Sequence, residues 1–116
     1  MKKAPSRELQ TLKASFFRAL GHPVRIRLLE ALIASGETNV QDLQRRLAID
    51  QPIVSQQLAR LRSSGIVVSR KVGASTMYTV SDPMIGDLLR VARQILNRHL
   101  TGVSSLLREL VVDERR

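Results

Sequence analysis

The chain has 116 residues, 43% hydrophobic and 25% charged, which suits one folded domain with a single modest core. It carries 19 Lys and Arg against 10 Asp and Glu, and the net charge of +9 points to a polyanionic partner, nucleic acid or an anionic membrane surface. Cysteine is absent, which excludes disulfides, zinc–thiolate sites and thiol redox switches; the only aromatic residues, Phe16, Phe17 and Tyr78, make a poor platform for stacking unpaired bases, so duplex DNA is the expected polyanion.

Residues 1–6 are expected to form a loose arm. They are basic, but no apolar run follows, so no secretion signal is expected. Nothing approaches the ~18 apolar residues of a membrane span, and a soluble cytoplasmic protein is expected. Over 7–20, Leu9, Leu12, Phe16 and Leu20 recur at helical spacing, and the adjacent phenylalanines read as core. Gly21, His22 and Pro23 interrupt that helix, and Pro23 suits the first turn of the next, Val24–Ala34. His22 reads as a helix-start residue bonding nearby backbone. Arg25 and Arg27 either pair with Glu30 or lie near DNA. A turn at 35–39 ends in Asn39, a cap with Asp42 three residues on, and a short third helix follows with Val40, Leu43 and Leu47 as its stripe.

Asp50 or Gln51 caps a fourth helix, Pro52 sits in its first turn, and Gly65 ends it. Val54, Leu58 and Leu61 make its apolar stripe. At about 100° per residue the opposite side carries Ile53, Gln56 and Arg60, with Ser55 and Gln57 on the flanks. Amide forks suit adenine in a major groove. On these residues alone, a merely solvated face explains them as well. The hairpin at 66–80 pairs Ile66–Val72 with Thr76–Val80 around Gly73. From Gln51 to Ser81 there is no acidic residue, while Arg60, Arg62, Arg70 and Lys71 are present. Ser81 or Asp82 caps the last helix, 82–112, and Pro83 lies in its first turn. That helix bears two stripes: Ile85, Leu88, Ala92, Ile95 and His99, and Leu89, Leu96, Leu100, Val103, Leu107 and Leu110. Together they are wider than one small domain covers, which marks a homodimer interface, aided by the first helix. The alternative is a helix bent at Gly102 and folded back over its own core.

Three segments carry a resemblance: FFRALGHPVRIRLLEAL (16–32), NVQDLQRRLAIDQPIVSQQLARLRSSGIV (39–67) and the hairpin ending in YTV (78–80). In their motifs and in the spacing between them, the chain resembles winged helix-turn-helix regulators of the ArsR/SmtB type, over about residues 10–112. The fold this implies is mainly α with a β-hairpin (α+β). It is one winged-helix domain, with 39–65 as the helix-turn-helix, 66–80 as the wing, and 7–20 and 82–112 as dimerisation helices. The function it implies is a sequence-specific repressor that binds an inverted repeat in double-stranded DNA as a homodimer. Residues 52–64 then form the recognition helix, and Ile53, Ser55, Gln56, Gln57 and Arg60 face or flank the major groove. Gln56 or Gln57 suits an adenine edge, and Ile53 a thymine methyl. Arg45, Arg46, Arg62, Arg70 and Lys71 are expected to meet phosphates, which position without reading sequence.

The chain departs from the family in its sensor. Gln56 and Gln57 stand where histidine is frequent. Of the Asp-x-His…His-x-x-Glu metal set only Asp87 and His99 remain, because Leu89 and Gly102 occupy the other two places. Neither a metal nor another cofactor is expected, and His99 reads as an interface histidine. An inducer, where one exists, is expected to be an organic molecule or a partner protein. No constellation suggests an enzyme. Two rival functions are weaker: a winged-helix module for protein–protein contact needs no acid-free basic stretch, and an architectural DNA-coating protein needs no groove-facing amides.

Overall fold

The structure, a computed structural model, describes residues 6–115, with the side chains of residue 110 and of residues 112–115 outside the description. The expected loose arm therefore lies outside the described residues except for Ser6, which is a helix cap. Its Oγ accepts the Leu9 N–H at 3.1 Å and opens α1, Arg7–Leu20. Helix α2, Pro23–Ser35, begins one residue before the expected Val24. Pro23 has a fixed φ that suits the first turn, and His22 Nδ1 accepts the Val24 N–H at 3.1 Å. Helix α3, Val40–Leu47, starts where Asn39 Oδ1 accepts the Asp42 N–H at 2.8 Å.

Helix α4, Gln51–Ser63, has Asp50 at its N-cap position, but the Asp50 side chain makes no capping bond. The Asp50 carbonyl alone receives Ile53 and Val54. Gly65 follows the helix at φ 75°, a conformation that side-chain-bearing residues rarely adopt. Strand β1, Val67–Val72, pairs antiparallel with β2, Ser75–Val80, in a register that sets Val67 opposite Val80 and Val72 opposite Ser75. The loop is thus two residues long, and Gly73 takes its first place at φ 62°, where a II′-type turn requires glycine. Ser81 was an expected cap for the last helix. It instead closes the base of the hairpin, its N–H bonding Ile66 O and its Oγ bonding Gly65 O at 2.7 Å. Helix α5 starts at Met84 and runs to Arg115, later at both ends than the expected 82–112.

The chain divides into two compact units, one ending at Pro83 and one formed by α5. In the first unit Leu28, Leu29, Leu32, Leu43, Val54, Leu58, Leu61, Ile66 and Val67 are fully enclosed. They come from α2, α3, α4, β1 and, in Ile66, the residue just before β1, so the core joins the three central helices to the root of the hairpin. Each such side chain stabilises by roughly 1.5–3 kcal/mol relative to exposure. In helix α1 the reading of both phenylalanines as core fails at Phe17, which is exposed. The buried residues of this helix are Ala19 and Leu20, while Leu9, Leu12 and Phe17 are exposed. Phe16 and Phe17 meet edge to face at 5.6 Å, but neighbours on a helix diverge by about 100°, so both do not enter one core.

The second unit is a single helix that continues through Gly102. Its Val91, Ile95, Leu96, Leu100, Leu106 and Leu107 are all exposed.

Candidate nucleic-acid interface

Helices α3 and α4 are joined by a three-residue turn whose geometry aims α4. Ala48 takes the left-handed conformation, φ 53° and ψ 46°, and its N–H returns to Gln44 O. Ile49 follows, buried, with its own N–H also on Gln44 O at 3.3 Å. This is a Schellman-type stop made by an alanine. It anchors the entry to α4, whose inner stripe of Val54, Leu58 and Leu61 is fully buried. The opposite side then has to face outward: Ile53, Ser55, Gln56 and Arg60 are exposed, and Gln57, on the flank, is half-buried.

Gln57 is not free. Its Oε1 accepts from Arg25 Nη1 at 2.9 Å. The same guanidinium donates from Nε to Ala19 O at 2.6 Å and from Nη2 to Arg18 O at 3.3 Å. Arg27 Nη2 donates to Leu47 O at 2.6 Å. Neither arginine pairs with Glu30; they cap the carbonyl ends of α1 and α3, where orphan carbonyls and the helix dipole both favour a cation.

The wing is tied to the helix-turn-helix by a polar corner. Thr38 forms a bridge to Tyr78, with N–H···O bonds of 3.1 and 2.7 Å in the two directions. Beside it Glu37 receives both Arg70 Nε and Arg70 Nη2 at 2.6 Å, a bidentate pair. These bonds hold the Glu37 carboxyl below its ordinary pKa and raise that of Arg70. Thr38 Oγ1 donates to Asp42 Oδ2 at 2.8 Å. That bond, with Arg46 at 3.3 Å and Arg45 at 3.9 Å, lowers the Asp42 carboxyl as well.

The five arginines and lysines assigned to phosphates are therefore unequal. Arg45, Arg46 and Arg70 each have a carboxylate partner, while Arg62 and Lys71 form no ion pair among the described residues. Arg70 and Lys71 are consecutive in β1, so their side chains leave opposite faces of the ribbon. Sequence reasoning overlooked Glu37 and left Arg25 undecided. Both act across more than thirty residues of chain, and no local pattern marks such contacts.

Of the expected interface residues on α5, Leu96, Leu100, Val103 and Leu107 are exposed and Leu89 is half-buried; the Leu110 side chain lies outside the described residues. Asp87 pairs with Arg90 at 3.6 Å, and no group of three or more His, Cys, Asp or Glu is assembled among the described residues. The residues present do not fit a tetrahedral metal site. No helix among the described residues is long and apolar enough to cross a membrane.

Residues 22–69, from the cap of α2 into β1, match the family described as bacterial regulatory protein, arsR family. Over 105 residues the chain is 38% identical to Rv0081, an HTH-type transcriptional regulator of Mycobacterium tuberculosis, covering 90% of this chain and 92% of that one. It is 37% identical over 76 residues to the biofilm growth-associated repressor of Xylella fastidiosa, covering 66% of each. The crystal structure of Rv0081 superposes with a TM-score of 0.75 at 40% identity, covering 84% of this chain and 97% of that one. The transcriptional repressor BigR from Xylella fastidiosa gives 0.68 at 33% identity, covering 76% and 89%.

Proposed function

The chain belongs to the arsR family of bacterial regulatory proteins and is a DNA-binding transcriptional regulator; we propose that it works as a repressor, reading an inverted repeat in double-stranded DNA as a homodimer. The observation that carries this reading is the division of α4 into a fully buried apolar stripe and an outward face of Ile53, Ser55, Gln56 and Arg60. That face lies in a stretch with no acidic residue from Gln51 to Ser81. In this reading, residues 39–65 are the helix-turn-helix, whose recognition helix, 52–64, enters the major groove, and residues 66–80 lie on the backbone. Gln56 reads a base edge, Ile53 touches a thymine methyl, and Ser55 and Arg60 flank them. Arg62 and Lys71 bring unpaired charge to phosphates; Arg45, Arg46 and Arg70 bring charge already shared with Asp42 and Glu37. Helices α1 and α5 hold the two copies together.

The same reading places the protein in the cytoplasm and gives it no catalytic role. Its sensing uses no metal, although one relative is the probable mercury resistance operon repressor of Streptomyces lividans. DNA affinity is therefore expected to be unchanged by chelator or by zinc. A zinc-dependent loss of affinity that disappears in His99→Ala overturns that part.

The test is titration of operator and scrambled duplexes. Gln56→Ala is expected to lose roughly 1–3 kcal/mol per half-site of discrimination while non-specific affinity stays unchanged, since the side chain is uncharged. Equal loss for both duplexes removes the reading role and favours an architectural protein. No affinity for either favours a protein–protein module.

A further inference from the structure

The two adjacent glutamines of α4 are chemically different, and Arg25 makes them so. A guanidinium has five N–H donors and no acceptor. The amide atom that faces Arg25 Nη1 at 2.9 Å is therefore Oε1, and the usual ambiguity between amide oxygen and nitrogen does not arise. Arg25 is itself held in place, because its Nε and Nη2 donate to the carbonyls of Ala19 and Arg18 at the end of α1. The Gln57 oxygen is thus drawn toward α1 and α2, and its nitrogen is the end left to turn outward. Gln56 is exposed, and no hydrogen bond holds its amide among the described residues.

We propose that Arg25 fixes Gln57 as a one-way donor, so that Gln57 selects guanine rather than adenine, while Gln56 keeps the open fork that suits adenine. The inference rests on α4 being the base-reading helix. Reading adenine with a glutamine takes one acceptor for the N6 amino group and one donor for N7, presented side by side. The Gln57 oxygen keeps a second lone pair, but the bond to Arg25 aims it at α1 and α2, so the group Gln57 offers the groove is its NH2. Guanine offers two acceptors to the major groove, O6 and N7, whereas the adenine amino group meets a second donor. Arg25 is a positioning residue; it acts on the base only through Gln57.

The experiment is selection of bound duplexes from a randomised library by the full chain, followed by titration of single-base variants. Wild type is expected to require guanine at one position of each half-site. Gln57→Ala relaxes that position alone. Arg25→Met keeps the aliphatic stem but releases the amide, and the guanine-over-adenine ratio there falls by roughly two- to tenfold, the worth of one hydrogen bond. The position read by Gln56 is unchanged. The Arg25→Met/Gln57→Ala pair matches Gln57→Ala alone. Gln57→Glu supplies a second test that leaves the Arg25 contact intact: an acceptor replaces the donor, and the preference moves to cytosine, whose N4 amino group donates. Adenine at the position that Gln57→Ala relaxes overturns the proposal while the DNA-reading function stands. So does an Arg25→Met variant that weakens every position alike or adds to Gln57→Ala, the mark of a merely structural brace. If wild type enriches no sequence, the DNA-reading function falls and takes this assignment with it.

Discussion

Ala48 shows how much one backbone conformation decides. It stops α3 at φ 53° and so fixes the direction in which α4 leaves the turn. An L-residue in this region loses roughly 1–2 kcal/mol to the clash of its Cβ with the following carbonyl. Glycine escapes that clash but brings about 0.4–1 kcal/mol of extra entropy to the unfolded chain. Ala48→Gly is therefore expected to raise stability by up to about 1.5 kcal/mol, and Ala48→Val, with a branched Cβ at positive φ, to lower it by about 1 kcal/mol or more. Denaturant titration of the three proteins checks the order Gly, Ala, Val. If valine proves as stable as alanine, residue 48 is not left-handed and the turn is built differently. Arg25 and Arg27 make the complementary point. Two residues apart on α2, they reach the carbonyl ends of two different helices, so each joins elements that the sequence alone keeps separate.

The wing and its polar corner set the expectations at the next scale. Asp42 and Glu37 both titrate below their ordinary values in the folded chain, chiefly through the Thr38 and Arg70 hydrogen bonds respectively. A carboxyl depressed on folding stabilises above its unfolded pKa, and that contribution is lost as pH falls through the folded one. Stability is thus expected to be level from neutral pH downward and to fall below roughly pH 4. Asp42→Asn should blunt that acid limb, and a limb of unchanged steepness in thermal melts of the variant would remove the corner as its cause. Phosphate contact follows a different logic. Lys71→Ala is expected to flatten the salt dependence of non-specific DNA binding by roughly two units per dimer. The Glu37→Gln/Arg70→Gln pair, which removes one charge of each sign, should leave it nearly unchanged. If the paired variant flattens the slope as much as Lys71→Ala does, Arg70 leaves Glu37 for the backbone on binding. The elements themselves were readable because local chemistry marks them: Asn39 as a cap, Pro23 and Pro52 in first turns, Gly73 in the hairpin loop; Ser6, placed in the loose arm, was missed as the cap of α1. Much of the site's wiring was not. The Arg25–Gln57 and Glu37–Arg70 bonds span 32 and 33 residues of chain, and periodicity carries no record of them. The α1 stripe was readable only in part for a related reason: Leu9, Leu12, Phe16 and Leu20 share helical spacing, yet only Leu20 is buried in this chain while Leu9 and Leu12 are exposed, and spacing does not say which molecule buries a face.

That question belongs to the whole molecule. Helix α5 has 32 residues and is about 48 Å long at 1.5 Å per residue. Over that length Leu96, Leu100, Leu106 and Leu107 are each more than half exposed, and on α1 Leu12 and Phe17 are too. Apolar area on this scale, on two helices of a small chain, is the pattern of surface covered by a second copy. In the proposed reading, two copies related by a two-fold set their two α4 helices in successive major grooves, about 34 Å apart. Because the copies bind jointly, the spacing of the half-sites matters as much as their sequence. Inserting about five base pairs between half-sites turns the second groove to the far side of the duplex. The wild-type chain is then expected to bind no better than it binds one half-site. Leu100→Glu with Leu107→Glu places two charges in the shared face and should give monomers by light scattering at micromolar concentration. Those monomers should bind the natural and the stretched duplex equally, because a single α4 senses no spacing. A variant that stays dimeric puts the interface elsewhere. A monomeric variant that still distinguishes the two spacings would mean that spacing is sensed through the DNA and not through the pairing of α5.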